Sequence, residues 1–352
     1  IKLDGNYPTG TGNVALGDDA LRDGSLSGGN NTAIGHYALY ANTSGADNTS
    51  IGRGNLDANT TGSYNTALGS TALSSSTTGS YNTALGSLAL NSSTTASNNT
   101  AVGYQAGYTT NTGSSNTSSG YQSFYSNTTG HSNAATGYHA LYSNSTASYN
   151  TANGLQALYS NTTGQYNTAM GATALYSNTT ASNNTAVGYQ AGYTQSGSSS
   201  GSNVWIGYQT GYLNVSGGAN TAIGQQALYS NTTAAYNAAL GYAALYNNTT
   251  GANNTALGTQ ALNANTTASN NTAVGYGALY LNTTGAQNTA VGQGAASNTT
   301  TASGNSVLGY AALQVNTTGG SNVAVGQQAL YGNTTASNNT AVGYKAGYNN
   351  TT

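Results

Sequence analysis

The sequence predicts an all-β fold, a parallel β-solenoid of 20 coils with a 17-residue repeat. Three observations carry this. The glycine of a recurring N-T-A-V-G motif returns in 20 units from Gly17 to Gly343, at a step of 17 residues apart from one of 18 (Gly17 to Gly35) and one of 19 (Gly188 to Gly207). The residue four before that glycine is Asn in all 20 units. Every unit is also loaded with Gly, Asn, Ser and Thr, which disfavour α-helix, and it is shorter than the roughly 30 residues a helical pair needs. A short β-segment with Gly and Asn turns fits one coil, bonded to its neighbours by parallel ladders about 4.8 Å apart. The longer steps then read as one- and two-residue loop insertions that leave the stack intact.

The elements follow in chain order. Residues 1–12, with Pro8 and several charges, read as a lead-in or partial cap; residues 13–352 read as one repeat domain. Asn13, Asn31, Asn99, Asn184, Asn271 and Asn339 represent the invariant register, where stacked amides are expected to form an Asn ladder. The aliphatic before the glycine, found in 17 of 20 units, is expected to face inward, and the Ala before it outward, against another chain. The glycine itself suits a corner with positive φ or close backbone approach. Ala three residues after it (17 units) and Leu four after it (14 units) add further inward stripes. The N-T-T segment that follows is turn chemistry.

One coil buries too few large aliphatics to stand alone, so stacking is obligatory. Two local departures stand out. Ser119, Thr136 and Asn153 replace the aliphatic in three successive coils, beside Phe124 at the Leu register, which predicts the least stable stretch. Trp205, the only tryptophan, replaces the small Ala beside the 19-residue step and is expected to fill space opened by the insertion.

Charge is scarce: Lys+Arg number 4 and Asp+Glu 6 in 352 residues, and after Asp57 only Lys345 is charged. Four cations cannot make a nucleic-acid face. No run approaches the ~20 apolar residues of a membrane-spanning helix. Without cysteine there is no disulfide scaffold or thiolate metal site. His36, His131 and His139 are dispersed, and Asp18, Asp19 and Asp23 read as a solvated cap rather than a cation site. No enzymatic activity, cofactor or metal is therefore expected.

Sequons recur at one register, seven residues after the repeat glycine: Asn42, Asn59, Asn127, Asn144, Asn161, Asn178, Asn214, Asn231, Asn248, Asn265, Asn282, Asn316, Asn333 and Asn350. A second set precedes the ladder Asn: Asn30, Asn98, Asn183, Asn253, Asn270 and Asn338. An exposed turn could present these amides to a glycosyltransferase, and a glycan sheath would keep an uncharged rod apart from its neighbours. The competing reading is that a chain rich in Asn, Ser and Thr generates sequons freely, and that N-T-T is simply a good turn. Thirteen tyrosines sit five residues after the glycine and nine directly after it. They are expected to stack as aromatic ladders, with a carbohydrate or surface-contact stripe as the functional alternative.

Asn13–Leu21 (N-V-A-L-G-D-D-A-L), Asn31–Leu39 (N-T-A-I-G-H-Y-A-L) and Asn322–Leu330 (N-V-A-V-G-Q-Q-A-L) resemble the repeats of trimeric autotransporter adhesin heads, similar to repeats in phage tail-fibre and other extracellular fibre proteins. The resemblance implies a left-handed parallel β-roll, trimeric, on the outside of a cell or virion. The adhesin-head unit is usually shorter than this one. The expected function is a structural subunit of an extracellular fibre or filament that assembles with copies of itself, its sequons carrying covalent glycans. The alternatives are an adhesin or tail-fibre shaft binding host surface glycans, and an ice-binding solenoid with a bare Thr face.

Overall fold

The computed structural model describes residues 11–22, 26–197 and 201–351. The expected lead-in at residues 1–12 lies outside them, apart from Thr11 and Gly12, as does Asp23. The chain is an all-β parallel β-solenoid. Among the described residues it has 20 strands of three residues each and no helix. They fall in two compact units, Ile1–Thr173 and Ala174–Thr352. The first holds β1 (Val14–Leu16) to β10 (Thr168–Met170), the second β11 (Thr185–Val187) to β20 (Thr340–Val342).

Within each unit consecutive strands pair parallel and in register, as in Ala67↔Ala84 of the first and Ala256↔Ala273 of the second. Register survives both longer steps: Ala15 pairs with Ala33, and Ala186 with Trp205. Pairing continues round the rest of the coil, where Leu262 N–H donates to Ala278 O at 3.0 Å and Thr266 N–H to Thr283 O at 3.1 Å. Nearly every backbone group is thus answered by a neighbouring winding, which is what burial of peptide groups requires.

The facing of the strand is the reverse of the expectation. Its central residue points inward: Ala33, Ala84, Ala256 and Ala273 are fully buried. The aliphatic before the glycine points outward, with Leu68 48% and Leu308 51% exposed. Alternation permits either solution, and the width of the coil decides it. The opposite wall already carries Leu39, Leu158 or Leu245, all fully buried, so only a small residue fits at the strand centre. The Ala row therefore lines the core and packs against no second chain. Ser119, Thr136 and Asn153 end their strands on the outer face, where polar groups meet water, so the basis for expecting a weak stretch there disappears.

Backbone conformation explains two registers. The repeat glycines have φ between about 125° and 144°, and a Cβ on Gly103 would lie 2.6 Å from Gly120 O. No side chain fits between such closely stacked windings. The Leu register also adopts positive φ, 51° at Leu39 and Leu158. It holds only Leu, Gly, Phe or Ala along the chain, never a β-branched residue, which would be a severe outlier there.

Candidate functional site

Two ladders of asparagine run inside each unit. The invariant register forms the first: Asn48 N–H donates to Asn31 Oδ1 at 3.0 Å, and Asn48 Nδ2 to the same oxygen at 3.1 Å. Asn31 N–H reaches Asn13 Oδ1 at 2.8 Å, and Asn99, Asn271 and Asn339 repeat the bond with the winding before them. Asn203 keeps it with Asn184 at 3.1 Å across the 19-residue step.

The second ladder is built from the principal sequon register. Asn59 Nδ2 donates to Asn42 Oδ1 at 2.8 Å, Asn144 to Asn127 at 3.2 Å, Asn161 to Asn144 at 3.0 Å, Asn231 to Asn214 at 2.7 Å, Asn265 to Asn248 at 2.8 Å, Asn282 to Asn265 at 2.9 Å and Asn333 to Asn316 at 3.0 Å. Asn178 is equally buried, and Asn178 Nδ2 donates to Ala181 O. Both ladders converge on one carbonyl per coil, since Asn271 and Asn282 each donate to Gly285 O at 2.9 Å. Buried amides paired in this way cost little, whereas unpaired they would cost several kcal/mol on transfer to an apolar medium, about 4–8 kcal/mol.

This overturns the reading of that register as glycan acceptors. From Asn42 through Asn333 these side chains are at most 1% exposed, so a folded coil has no room for a sugar on Nδ2. Asn350, half-buried, bonds Asn333 Oδ1 at 3.4 Å. The N-T-T turn is likewise structural: the first Thr reaches the next winding, as in Thr249 Oγ1 to Thr266 O at 3.0 Å. Asn30, Asn98, Asn183, Asn253, Asn270 and Asn338 are exposed, at positive φ.

Tyrosine makes the outer ladders. Tyr108, Tyr125, Tyr142 and Tyr159 stack with centroids 5.1–5.2 Å apart and planes within 8°. Tyr176, Tyr193, Tyr212, Tyr229 and Tyr246 do the same in the second unit. The row directly after the glycine stacks more openly, Tyr104–Tyr121 and Tyr121–Tyr138 at 5.4 Å. Burial raises the phenol pKa of Tyr142, Tyr193 and Tyr229, and repulsion from neighbouring phenolates adds to it.

The three histidines each meet a different neighbour. His139 Nε2 meets Gln122 Oε1 at 2.8 Å among tyrosine rings, and burial lowers its pKa. His131 Nδ1 meets Ser132 Oγ at 3.3 Å. His36 lies 4.0 Å from Asp18, and Asp19 pairs with Arg22 at 3.2 Å. Among the described residues no three His, Cys, Asp or Glu side chains group as a metal site, and no helix is long and apolar enough to cross a membrane. Compared with protein-family models and with curated proteins, the chain matches none.

Proposed function

We propose that this chain is a non-enzymatic structural subunit of an extracellular fibre, assembling with copies of itself. The observation that carries the reading is the use the repeat makes of its polar groups. Two buried amide ladders and a backbone ladder spend the hydrogen-bonding capacity of each coil on its neighbours. Such a chain gains rigidity by repetition rather than from a globular core.

Self-assembly is supported by aliphatics of the outward row that are exposed in each unit, Leu68 and Val102 in the first and Leu240, Leu257 and Leu308 in the second. A surface carrying so few charges and such a ridge favours a second copy over water, and the adhesin-head resemblance points to three. Any glycan coat belongs to the exposed sequons at Asn30, Asn98, Asn183, Asn253, Asn270 and Asn338. The Thr row beside the ridge is interrupted by Val14, Ala134, Val204, Ala238, Ser306 and Val323 and shares its face with bulky aliphatics, which does not favour ice binding. Light scattering and electron microscopy of the purified chain test the reading. Elongated trimers or filaments support it; a compact monomer at every concentration contradicts it.

A further inference from the structure

The position two residues after the repeat glycine is Gln in eight of the 20 units, and where such amides are adjacent they join into a surface ladder. Gln122 Nε2 donates to Gln105 Oε1 at 2.6 Å and Gln209 to Gln190 at 2.9 Å. In three successive coils of the second unit that position is Gly277, Gly294 and Ala311. The missing side chains leave a groove of about 350 Å³. A Cβ on Gly277 would meet nothing within 4 Å, so its floor is bare backbone. The half-buried tyrosine row is broken at the same place, where Ser297 and Gln314 separate Tyr280 from Tyr331.

The walls are chemically distinctive. Tyr276 and Tyr310 are 57% and 51% exposed and stack on no ring among the described residues, whereas Tyr104, Tyr121 and Tyr138 of the same row stack on one another. They stand two windings apart, roughly 9.6 Å. The side-chain amides of Gln260, Gln293 and Gln314 line the groove without a hydrogen bond to the chain. No charged residue occurs between Asp57 and Lys345, so nothing here attracts an ion.

We infer that this groove binds a neutral oligosaccharide. Pyranose rings present apolar C–H faces to tyrosine rings and hydroxyls to amides that can both donate and accept. The volume falls at the lower end of the range for small-molecule sites, about 300–1,000 Å³. The groove is a local departure from the repeat, so the inference goes beyond the fibre reading and does not depend on it.

The test uses the full chain and calorimetric titration with cellohexaose, maltohexaose, chitohexaose and mannohexaose, with polysialic acid as the charged control. At least one neutral hexasaccharide is expected to bind in the sub-millimolar range, and G277Q/G294Q to weaken it at least about tenfold. That variant restores the residue found elsewhere at this register, where Gln105 and Gln226 adopt φ of 53° and 58°, so its circular dichroism should not change. Should it misfold, Y276A/Y310A removes the platforms from the surface and is expected to lose the same affinity. Failure of all four neutral sugars to bind, binding that survives groove filling or ring removal, or preference for polysialic acid would overturn the assignment.

Discussion

Trp205 donates its indole N–H to Gln195 Oε1 at 2.9 Å, and both residues depart from the repeat. Trp205 sits at the buried strand centre where most coils have Ala; Gln195 occupies the register of the second, inner Asn ladder. Two more departures make room. Gly192 and Gly211 replace Leu, and a Cβ at either would strike the indole, within 2.6 Å of Cδ1 for Gly192. Two lost leucines therefore make room for Trp205. Trp205→Ala should cost about 3–5 kcal/mol through the cavity it leaves. Adding Gly192→Leu and Gly211→Leu should recover much of that, because Leu175 and Leu228 already adopt φ near 50° at this register. Denaturation midpoints of the single and triple variants check this. A triple variant no more stable than the single one would contradict the compensation.

The inner ladder has gaps of its own. Ser76, Ser93 and Thr110 interrupt it, their hydroxyls are buried without a partner, and Asn59 Oδ1 is orphaned beside them. Asn282 Oδ1 is orphaned against Thr299 for the same reason: the shorter side chain does not reach. Restoring Asn at 76, 93 and 110 should stabilise the first unit by about 0.5–1.5 kcal/mol per bond gained. In the invariant ladder, Asn271→Ala removes the partner of Asn288 N–H and one of the two amide donors to Gly285 O, and should cost on the order of 1–3 kcal/mol. Hydrogen exchange in the coils flanking each substitution reads both effects, which a global midpoint blurs in a repeat array.

Facing can be tested with paired charges. Leu257→Asp lies on the outer row and should change stability by no more than about 0.5 kcal/mol, while abolishing any assembly made through the ridge. Ala256→Asp, one residue away and fully buried, should prevent the coil from forming. Circular dichroism separates the two outcomes, and light scattering reads assembly. Equal damage from both substitutions would contradict the assigned orientation.

Alkali should be more damaging than acid. Tyr142, Tyr193 and Tyr229 hold their protons more tightly folded than unfolded, chiefly because burial penalises the phenolate. Stability from a raised pKa is present below the ordinary value near 10 and is lost as pH climbs through it. At the acid end the two shifts oppose each other. Burial lowers the His139 pKa, so folding loses stability as pH falls through about 6.5; burial raises the Asp57 pKa, which works the other way at lower pH. Melting temperature should vary little between about pH 7 and 9, fall slightly below about pH 6.5 and fall more above about pH 10. A fold that keeps its full melting temperature while tyrosinate absorbance develops would contradict this, and Tyr142→Phe should lessen the alkaline loss.

Periodicity made the coil, the strand position, the Asn31 ladder and the harmless insertions readable in the sequence. Orientation was not, because a three-residue strand offers two faces and the habit of placing large residues inside chose the wrong one. The signal was present in the pairing of Trp205 with Gly192 and Gly211, since only an inward tryptophan requires its neighbours to shrink. The Asn42 register misled because a sequon and a buried turn amide share the same letters. The groove at Gly277 was legible only as missing Gln side chains, and where they would have pointed depends on a positive φ that the sequence does not announce.

Fibre diffraction from oriented full-length chain tests the winding itself most directly. One 17-residue coil per strand spacing predicts a sharp reflection along the winding axis of each unit near 4.8 Å. The expected result is that reflection with strands perpendicular to the axis. Its absence, or strands running along the axis, would contradict the account.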